Sequence, residues 1–212
     1  MKLCSGTSEQ GIVVGNTYDK YGSRNPLVRR IMAGFVSDLQ DLVELTEPSS
    51  IHEVGCGEGY WTLLWKAQGR SVCGSDFSRA AIELARKNAL EQGLGGELFR
   101  QRSIYDLNPA EDSADLVVCC EVLEHLESPE MALRVLRKIA RRRAIFSVPR
   151  EPIWRMLNMA RGQYWSQLGN TPGHLQHWSR GSFTALVSRY FKIDETRSPL
   201  PWTMLLCSPL AE

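Results

Sequence analysis

Residues 52–60 read HEVGCGEGY. Its three glycines, at positions 55, 57 and 59, directly follow a short apolar run that carries one acid, Glu53. Glycine adopts positive φ angles at no steric cost and lets another group lie against bare backbone. The stretch therefore predicts a buried strand and a tight turn into a helix, with some group held close to the main chain of the turn.

Strands and helices alternate on both sides of this turn. Apolar runs predict strands at 50–54, 70–76, 96–103, 114–120 and 143–148, and helical spacing predicts helices at 26–44, 60–67, 78–92, 129–139 and near 180–190. Helices between consecutive strands indicate a parallel, doubly wound sheet. The last two predicted strands, 191–197 and 202–208, are too close for a helical crossover and are expected to form an antiparallel hairpin. The predicted fold class is α/β: a mostly parallel, seven-stranded, Rossmann-like sheet with an antiparallel C-terminal hairpin.

Two segments depart from the alternation. Residues 1–25 are polar and irregular and are expected to form a flexible N-terminal arm, followed by a single domain over 26–212. Residues 150–178, rich in Trp, Met, Arg and Gly, match neither a strand nor one regular helix. Because they follow the carboxyl end of a predicted strand, we expect a lid-like insertion over the ligand site.

Composition favours neither nucleic acid nor membrane as the main partner. The net charge is +1 and 23% of the residues are charged, which does not indicate a surface for nucleic acid. No apolar run approaches the roughly 20 residues that a bilayer requires, and the first residues lack the apolar core of a signal peptide. The basic run at 134–143 is interpreted as a solvated helix face. Six cysteines without metal-type spacing predict buried free thiols in a reducing cytoplasm, and nothing indicates the oligomeric state.

The glycine turn alone leaves its ligand open. A dinucleotide fingerprint, G-x-G-x-x-G, would place a glycine at position 60, where this chain has Tyr60. A phosphate-binding P-loop would need a following Gly-Lys-Ser/Thr, which is not there. A strand-to-helix turn without any ligand is the remaining structural alternative.

The surrounding residues favour one ligand by resemblance. HEVGCGEGY resembles the first motif, E/D-x-G-x-G-x-G, of class I S-adenosylmethionine-dependent methyltransferases, and the resemblance extends over about residues 26–208. Asp76 ends the second strand where such enzymes hold the ribose hydroxyls, and Phe77 stands where an apolar residue packs on the adenine. Ser103 occupies a position where the family often has an acid. The resemblance implies S-adenosyl-L-methionine as cofactor, S-adenosyl-L-homocysteine as product, and a cofactor site formed by Glu53, Gly55, Gly57, Gly59, Asp76, Phe77, Ser103, Ile104 and Glu121.

Two clusters are candidates for acceptor chemistry. In EVLEH, the residues Glu121, Glu124 and His125 have the spacing i, i+3, i+4 that predicts one face of a helical turn. In TPGHLQHW, His174 and His177 lie in the lid-like segment. Since histidine titrates near neutrality, His174 or His177 is a candidate general base, and with His125 they are the predicted catalytic residues. Two histidines that only bond within the lid are the structural alternative.

The resemblance implies methyl transfer to a small organic acceptor, on oxygen as in the ubiquinone-pathway O-methyltransferases, with nitrogen as the second choice. Two other functions stay open. Glu-x-x-Glu-His with a distal histidine is also similar to enzymes that methylate the 3′-terminal ribose of small RNAs with the help of a divalent ion. A cofactor-binding protein without catalysis would carry the same cofactor motifs. No metal ligand set is assigned from the sequence, because EVLEH also occurs widely in this superfamily without metal.

Overall fold

The computed structural model describes residues 8–9, 12–13, 23 and 25–211. Seven strands form one sheet: β1 Ile51–Val54, β2 Val72–Asp76, β3 Phe99–Gln101, β4 Ala114–Cys120, β5 Ala140–Pro149, β6 Phe191–Arg197 and β7 Trp202–Pro209. A separate antiparallel pair joins Ser8–Glu9 to Ile12–Val13. The rest of the predicted N-terminal arm, apart from positions 23 and 25, lies outside the described residues.

The strand order across the sheet is β3-β2-β1-β4-β5-β7-β6. The first five strands in this order pair in parallel, whereas β7 lies antiparallel between β5 and β6. The predicted fold class, including the C-terminal hairpin, is therefore confirmed. The chain runs outward from β1 to β3 and then returns to β4 on the other side of β1. Beyond the carboxyl ends of β1 and β4 lies the topological switch point, where open α/β sheets bind ligands.

Seven helices connect these strands among the described residues: α1 Pro26–Thr46, α2 Tyr60–Ala67, α3 Arg79–Glu91, α4 Pro109–Asp112, α5 Pro129–Ile139, α6 Ile153–Ala160 and α7 Arg180–Val187. Short 3₁₀ turns occupy Gly96–Leu98, Ile104–Asp106, Leu123–His125 and Trp165–Gln167. The five predicted helices are present. The strand predicted at 96–103 is shorter, because a 3₁₀ turn takes its first residues.

The basic run at 134–143 is not one helix face. Helix α5 ends at Ile139, and Ala140 already pairs with Ala114 of the neighbouring strand. Arg141 and Arg142 are exposed at the start of β5, and so at the opposite edge of the sheet from the switch point. The predicted solvation of the run holds for these two side chains, although the predicted helix does not extend to them.

Strand β4 is the centre of the core. Leu116 and Val118 pack toward α1 and α2, while Val117 and Cys119 pack toward α5, and all four are at most 1% exposed. Burial on both faces explains why this strand is apolar almost throughout. Two helical layers therefore fix β4 beside β1, and this fixes the position of the residues that follow each strand.

All five described cysteines are free, as predicted; Cys4 lies outside the described residues. Burial, above all, raises the pKa of the Cys56 thiol well above its usual value, so this turn residue is not an activated nucleophile. Within the described part of the chain, no helix combines the length and the apolarity that crossing a bilayer requires.

Candidate active site

The glycine turn between β1 and α2 has left-handed backbone at each of its three glycines. Gly55, Gly57 and Gly59 have φ angles of +78°, +52° and +85°. A Cβ on Gly55 would lie 2.2 Å from the Val122 side chain, and one on Gly59 would lie 2.5 Å from the Phe99 ring. Sequence reasoning attributed these glycines to a ligand near the backbone. At two of the three positions, close protein neighbours and positive φ are sufficient reasons for glycine.

Glu53 fastens the turn to the helix that follows it. Its buried Oε2 atom accepts hydrogen bonds from the backbone N–H of Thr62, at 2.8 Å, and from the Thr62 hydroxyl, at 2.5 Å. Burial raises the pKa of Glu53 to about 8, although the bonds from Thr62 act in the opposite direction. The carboxyl group is therefore mostly protonated at pH 7 in the folded protein without ligand. Glu53 holds β1 and the first turn of α2 in one geometry.

Asp76, at the end of β2, binds the turn from the other side. Its Oδ2 atom accepts the N–H of Gly57 at 3.0 Å, and its Oδ1 atom accepts the N–H of Ser78 at 2.9 Å. The Ser78 hydroxyl in turn caps α3 by accepting the N–H of Ala81. A carboxylate offers about four lone-pair sites, so one that binds backbone N–H groups can also accept hydroxyl donors.

The other predicted cofactor residues beyond β2 and β3 lie at the same edge of the sheet. Phe77 is half-buried against Ala81, and its carbonyl accepts a bond from Gln101. The Ser103 hydroxyl accepts the N–H of Tyr105 at 3.3 Å and so caps a 3₁₀ turn, whose first residue, Ile104, is buried. Their contacts with a cofactor remain predictions.

Glu121 follows β4 and does not lie on a helical face with Glu124 and His125. The sequence interpretation of EVLEH was wrong in this respect, because Glu121 has a φ angle of +60° and the 3₁₀ turn begins only at Leu123. The Glu121 Oε2 atom accepts the indole N–H of Trp202 at 2.6 Å. Sequence reasoning missed Trp202, since its approach depends on the long-range pairing of β5 with β7.

Glu124, His125 and His174 form a cluster. One ligand-type atom from each lies within 4.8 Å of the other two, a carboxylate oxygen and two imidazole nitrogens. The Glu124 side chain is buried, and its backbone carbonyl accepts the N–H groups of Leu175, at 2.8 Å, and Gln176, at 3.0 Å. The loop that carries His174 is therefore bonded directly to the 3₁₀ turn after β4.

The two clustered histidines have defined orientations. His125 Nδ1 lies 2.9 Å from the Gly173 carbonyl, which can only accept, so Nδ1 donates and a neutral ring has its lone pair on Nε2. The His174 ring meets that of His125 edge-on, with centroids 4.9 Å apart. Burial, followed by the charges of His125 and His177, lowers the pKa of His174 to about 3. A neutral His174 is suited to donate a lone pair, whereas a pKa so low makes it a weak general base.

His177 lies apart from this cluster. Its side chain is exposed, and its Nε2 atom is 2.6 Å from Oδ1 of Asn170 within the same segment. Of the three predicted catalytic histidines, the structure brings together His125 and His174 and not His177. The predicted catalytic role of each stays a prediction.

The two ends of the predicted lid segment, residues 150–178, are bonded to each other. Arg150 and Trp178 form an isolated parallel bridge, and the N–H of Glu151 donates to the Trp178 carbonyl at 2.9 Å. Helix α6 and the 3₁₀ turn Trp165–Gln167 lie between these ends. Because β5 leads into the segment, it leaves the sheet at the same edge as the glycine turn and the histidine cluster.

Known proteins share this chain's sequence and fold. The methyltransferase domain family matches residues 28–190. Ubiquinone biosynthesis O-methyltransferase from Alkalilimnicola ehrlichii is 28% identical over 156 residues, 67% of this chain and 63% of that protein. Its counterpart in Hahella chejuensis is 33% identical over 90 residues, 42% of this chain and 37% of that protein. The chain thus matches less than two thirds of the length of these relatives.

A solved structure extends the comparison to the fold. Magnesium protoporphyrin IX methyltransferase from Synechocystis, crystallised with bound SAH, superposes with a TM-score of 0.67 at 20% identity, covering 89% of this chain and 90% of that one. At this identity the likeness concerns the fold. The family match covers most of the chain and includes the glycine turn, Asp76 and the histidine-bearing segments. The chain belongs to the methyltransferase domain family.

Proposed function

We propose that this enzyme transfers the methyl group of S-adenosylmethionine to a hydroxyl oxygen of a small organic acceptor. The observation that carries the proposal is the meeting of two unlike sites at neighbouring strand ends. The glycine turn follows β1, the Glu124–His125–His174 cluster follows β4, and these strands are paired. Val122, between Glu121 and the cluster, packs directly against Gly55. The methyl donor and the acceptor would therefore be neighbours.

The cofactor half of the site fits S-adenosylmethionine. Asp76 would accept the ribose hydroxyls beside its bonds to Gly57 and Ser78, and Phe77 would contact the adenine. Glu53, Gly55, Gly59, Ser103, Ile104 and Glu121 complete the proposed cofactor site. The sulfonium is already an excellent leaving group, so the protein's main task is to align the methyl group with the acceptor oxygen and to exclude water.

The acceptor half fits a divalent cation better than sequence reasoning anticipated. One carboxylate and two imidazoles are a suitable donor set, and the bond from His125 Nδ1 to the Gly173 carbonyl places the lone pair of a neutral His125 on Nε2. Glu124, His125 and His174 would hold the cation. When bound, it would lower the pKa of an acceptor hydroxyl.

The acceptor class is inferred from the surroundings of the cluster. Half-buried Trp154 provides aromatic surface near it, supported from behind by the buried Trp202, and such a surface suits a planar or apolar molecule. The exposed arginines at the start of β5 lie at the opposite edge of the sheet, so they are poorly placed to guide RNA toward this site. A small acceptor is therefore favoured over the RNA-ribose alternative.

Transfer of labelled methyl groups tests the proposal. The protein is incubated with methyl-labelled S-adenosylmethionine, a divalent cation and fractionated cell extract, and label is measured in small molecules, RNA and protein. We expect label in small molecules, bound to oxygen, and loss of transfer on chelation. Label in RNA would instead support the ribose methyltransferase, and tight cofactor binding without transfer to any fraction would support a non-catalytic protein.

The cofactor half has its own test in Asp76→Ala. Loss of the acceptor for two ribose hydroxyls should weaken S-adenosylhomocysteine binding by about 1–3 kcal/mol, measured by calorimetry. Asp115→Ala is the matched control, because Asp115 bonds Ser49 at the far end of β4 and should leave the affinity unchanged. Unchanged affinity in Asp76→Ala would contradict the ribose role.

A further inference from the structure

One aromatic residue of the lid segment lies between the two halves of the site. Trp154, in the first turn of α6, stacks on His174 with ring centroids 5.9 Å apart and an interplanar angle of 27°. It also lies 5.8 Å from Trp202, whose indole N–H bonds Glu121. Trp154 thus connects the residue that holds Glu121 with a member of the histidine cluster.

A hydrogen bond adds a second constraint on the same turn. The Trp154 indole N–H donates to the Thr171 hydroxyl at 2.9 Å, and the Thr171 carbonyl accepts the N–H of His174 at 3.1 Å. Asn158, which is 1% exposed, donates from the same helix to the Thr171 hydroxyl and to the Gly169 carbonyl. Helix α6 therefore fixes the start of the turn that carries His174.

The segment between α6 and His174 is closely packed at this point. A Cβ on Gly169 would lie 2.3 Å from the backbone oxygen of Arg155, so a side chain here would require the backbone to move. Gly169 also has a φ angle of +77°. Helix α6 and the loop that leads from it to His174 thus form one preformed unit. A change in the orientation of Trp154 is therefore expected to change the orientation of His174.

We propose that Trp154 is a positioning residue that sets the plane of the His174 imidazole, so that His174 presents its ring nitrogen toward Glu124 and His125. The proposal rests on the proposed function, which gives this cluster its role. An imidazole rotates broadly about its second side-chain torsion, and a stacked indole restricts that rotation. The hydrogen bond from Trp154 to Thr171 fixes the backbone at His174. The stacked indole therefore restricts rotation of the His174 ring, whereas the hydrogen bond restricts movement of the backbone that carries it.

Two substitutions separate these contributions. Trp154→Phe removes the indole N–H and reduces the stacked surface, while Thr171→Val removes the hydrogen bond and leaves the indole in place. Trp165→Phe is the matched control, because Trp165 belongs to the same segment and is 64% exposed. Imidazole resonances are followed by ¹H–¹⁵N correlation spectroscopy and assigned with His174→Gln. His52 is the internal reference, since it is buried between Ser75 and the Asp112 carbonyl.

We expect the His174 resonances to shift and broaden in Trp154→Phe and, to a smaller extent, in Thr171→Val. They should stay in place in Trp165→Phe, and those of His52 should stay in place in all variants. Unchanged His174 resonances in both Trp154→Phe and Thr171→Val would overturn the proposal, as would an equal change in Trp165→Phe. If Trp154→Phe fails to fold, Thr171→Val decides by the same criterion.

Cation affinity is an independent readout. Manganese(II) is titrated into each protein and followed by electron paramagnetic resonance. Changing a residue that orients a metal ligand commonly costs 10–100-fold in affinity, so we expect at least about tenfold weaker binding in Trp154→Phe. Trp165→Phe should bind as the unmodified protein does, and S-adenosylhomocysteine affinity should stay within about threefold in every variant. Equal loss of manganese and S-adenosylhomocysteine binding would indicate a general structural defect and overturn the proposal.

The two readouts distinguish failure of this inference from failure of the proposed function. If the unmodified protein binds no manganese but His174 shifts as expected, Trp154 keeps its positioning role and the cation is removed from the proposed function. If manganese binds equally well to all variants and His174 does not shift, the cation stands and the role of Trp154 is refuted.

Discussion

The glycine turn and the lid segment lie at the same edge of the sheet, but they are held by different kinds of contact. The turn is fixed by the carboxyl groups of Asp76 and Glu53, which accept the backbone N–H groups of Gly57 and Thr62, and by side chains packed against bare glycine. The lid is joined at its base and to the turn after β4 by main-chain bonds from Glu151, Leu175 and Gln176, and side-chain contacts such as that of Trp154 with Thr171 hold its interior. It also has exposed apolar residues such as Trp165. Packing against glycine restricts substitution in the turn, whereas the exposed positions of the lid can change their side chains.

This difference agrees with the proposal that the glycine turn binds the cofactor and that the lid segment contributes to binding the acceptor. In this proposal the cofactor lies against the main chain of the glycine turn. The proposed acceptor half is formed by side chains, of which His174 and Trp154 belong to the lid segment and Glu124 and His125 to the turn after β4. Loops carried on a rigid scaffold commonly provide specificity in this way.

The prediction of greatest magnitude concerns the contribution of the glycine turn to the free energy of unfolding. In Gly59→Ala, the new methyl group meets the Phe99 ring at 2.5 Å, and a left-handed backbone must also carry a Cβ. Left-handed strain costs about 1–2 kcal/mol and overpacking about 1–3 kcal/mol more. We expect the free energy of unfolding, measured with urea, to fall by about 2–5 kcal/mol.

Gly69→Ala is the matched control for Gly59→Ala. Its φ angle of +82° is nearly that of Gly59, at +85°, but no atom lies within 4 Å of the added Cβ. It should cost only the strain, about 1–2 kcal/mol. Equal losses in the two variants would mean that Phe99 yields easily and that close packing does not explain the glycine of the turn.

A second prediction concerns the charge of Glu53. With a folded-state pKa of about 8, against 4.5 ordinarily, the folded protein keeps a proton that the unfolded chain releases between these pH values. Raising the pH through this window therefore favours unfolding, and the contribution of Glu53 should decrease by a few kcal/mol between about pH 4.5 and pH 8. Glu53→Gln imitates the protonated form, since its carbonyl oxygen can accept both bonds from Thr62.

The measurement compares the free energy of unfolding of the two proteins across pH, without cofactor. Other groups contribute in both proteins; His52, for example, has a lowered pKa and opposes the trend. Their effect cancels in the difference between the unmodified protein and Glu53→Gln. The free energy of unfolding of Glu53→Gln, relative to that of the unmodified protein, should increase as the pH rises to 8. A constant difference would show that Glu53 is already ionised in the fold.

The sequence predicts the rigid region well because its determinants are local. The apolar run before Gly55, the spacing of the glycines and the acid at the end of the next strand all act within about 25 residues of one another. Their geometry follows from strand period and turn chemistry. The order of strands follows from the alternation of strands and helices and from the short connection before β7.

The acceptor half was predicted only in part because its geometry depends on long-range contacts. Spacing placed Glu121 beside Glu124, but the bond from Trp202 and a left-handed backbone take it elsewhere. From the sequence, His174 and His177 are equally good candidates for the general base. Only the fold of the loop places the His174 ring against that of His125. No local pattern marks Trp154 as the residue between the two halves.

The last prediction, which has the smallest magnitude, separates the roles of the two histidines in the lid segment by their effect on kcat/KM. His177→Gln preserves a side-chain N–H that can donate to Asn170, and the residue is exposed and outside the cluster. Since one hydrogen bond contributes about 1 kcal/mol net, kcat/KM should fall by less than about fivefold. His174→Gln, which removes an imidazole of the proposed cation site, should lower it by about 10–100-fold. Both are measured as methyl transfer to the labelled extract fraction.

The outcome decides which histidine acts on the acceptor. S-adenosylhomocysteine affinity is the control, and it should be unchanged in both variants because neither histidine lies at the glycine turn. If His177→Gln lost as much activity as His174→Gln, the exposed histidine would have to move into the site when the acceptor binds. The lid would then not be a preformed unit, and its bond to Asn170 would be a resting contact that substrate displaces.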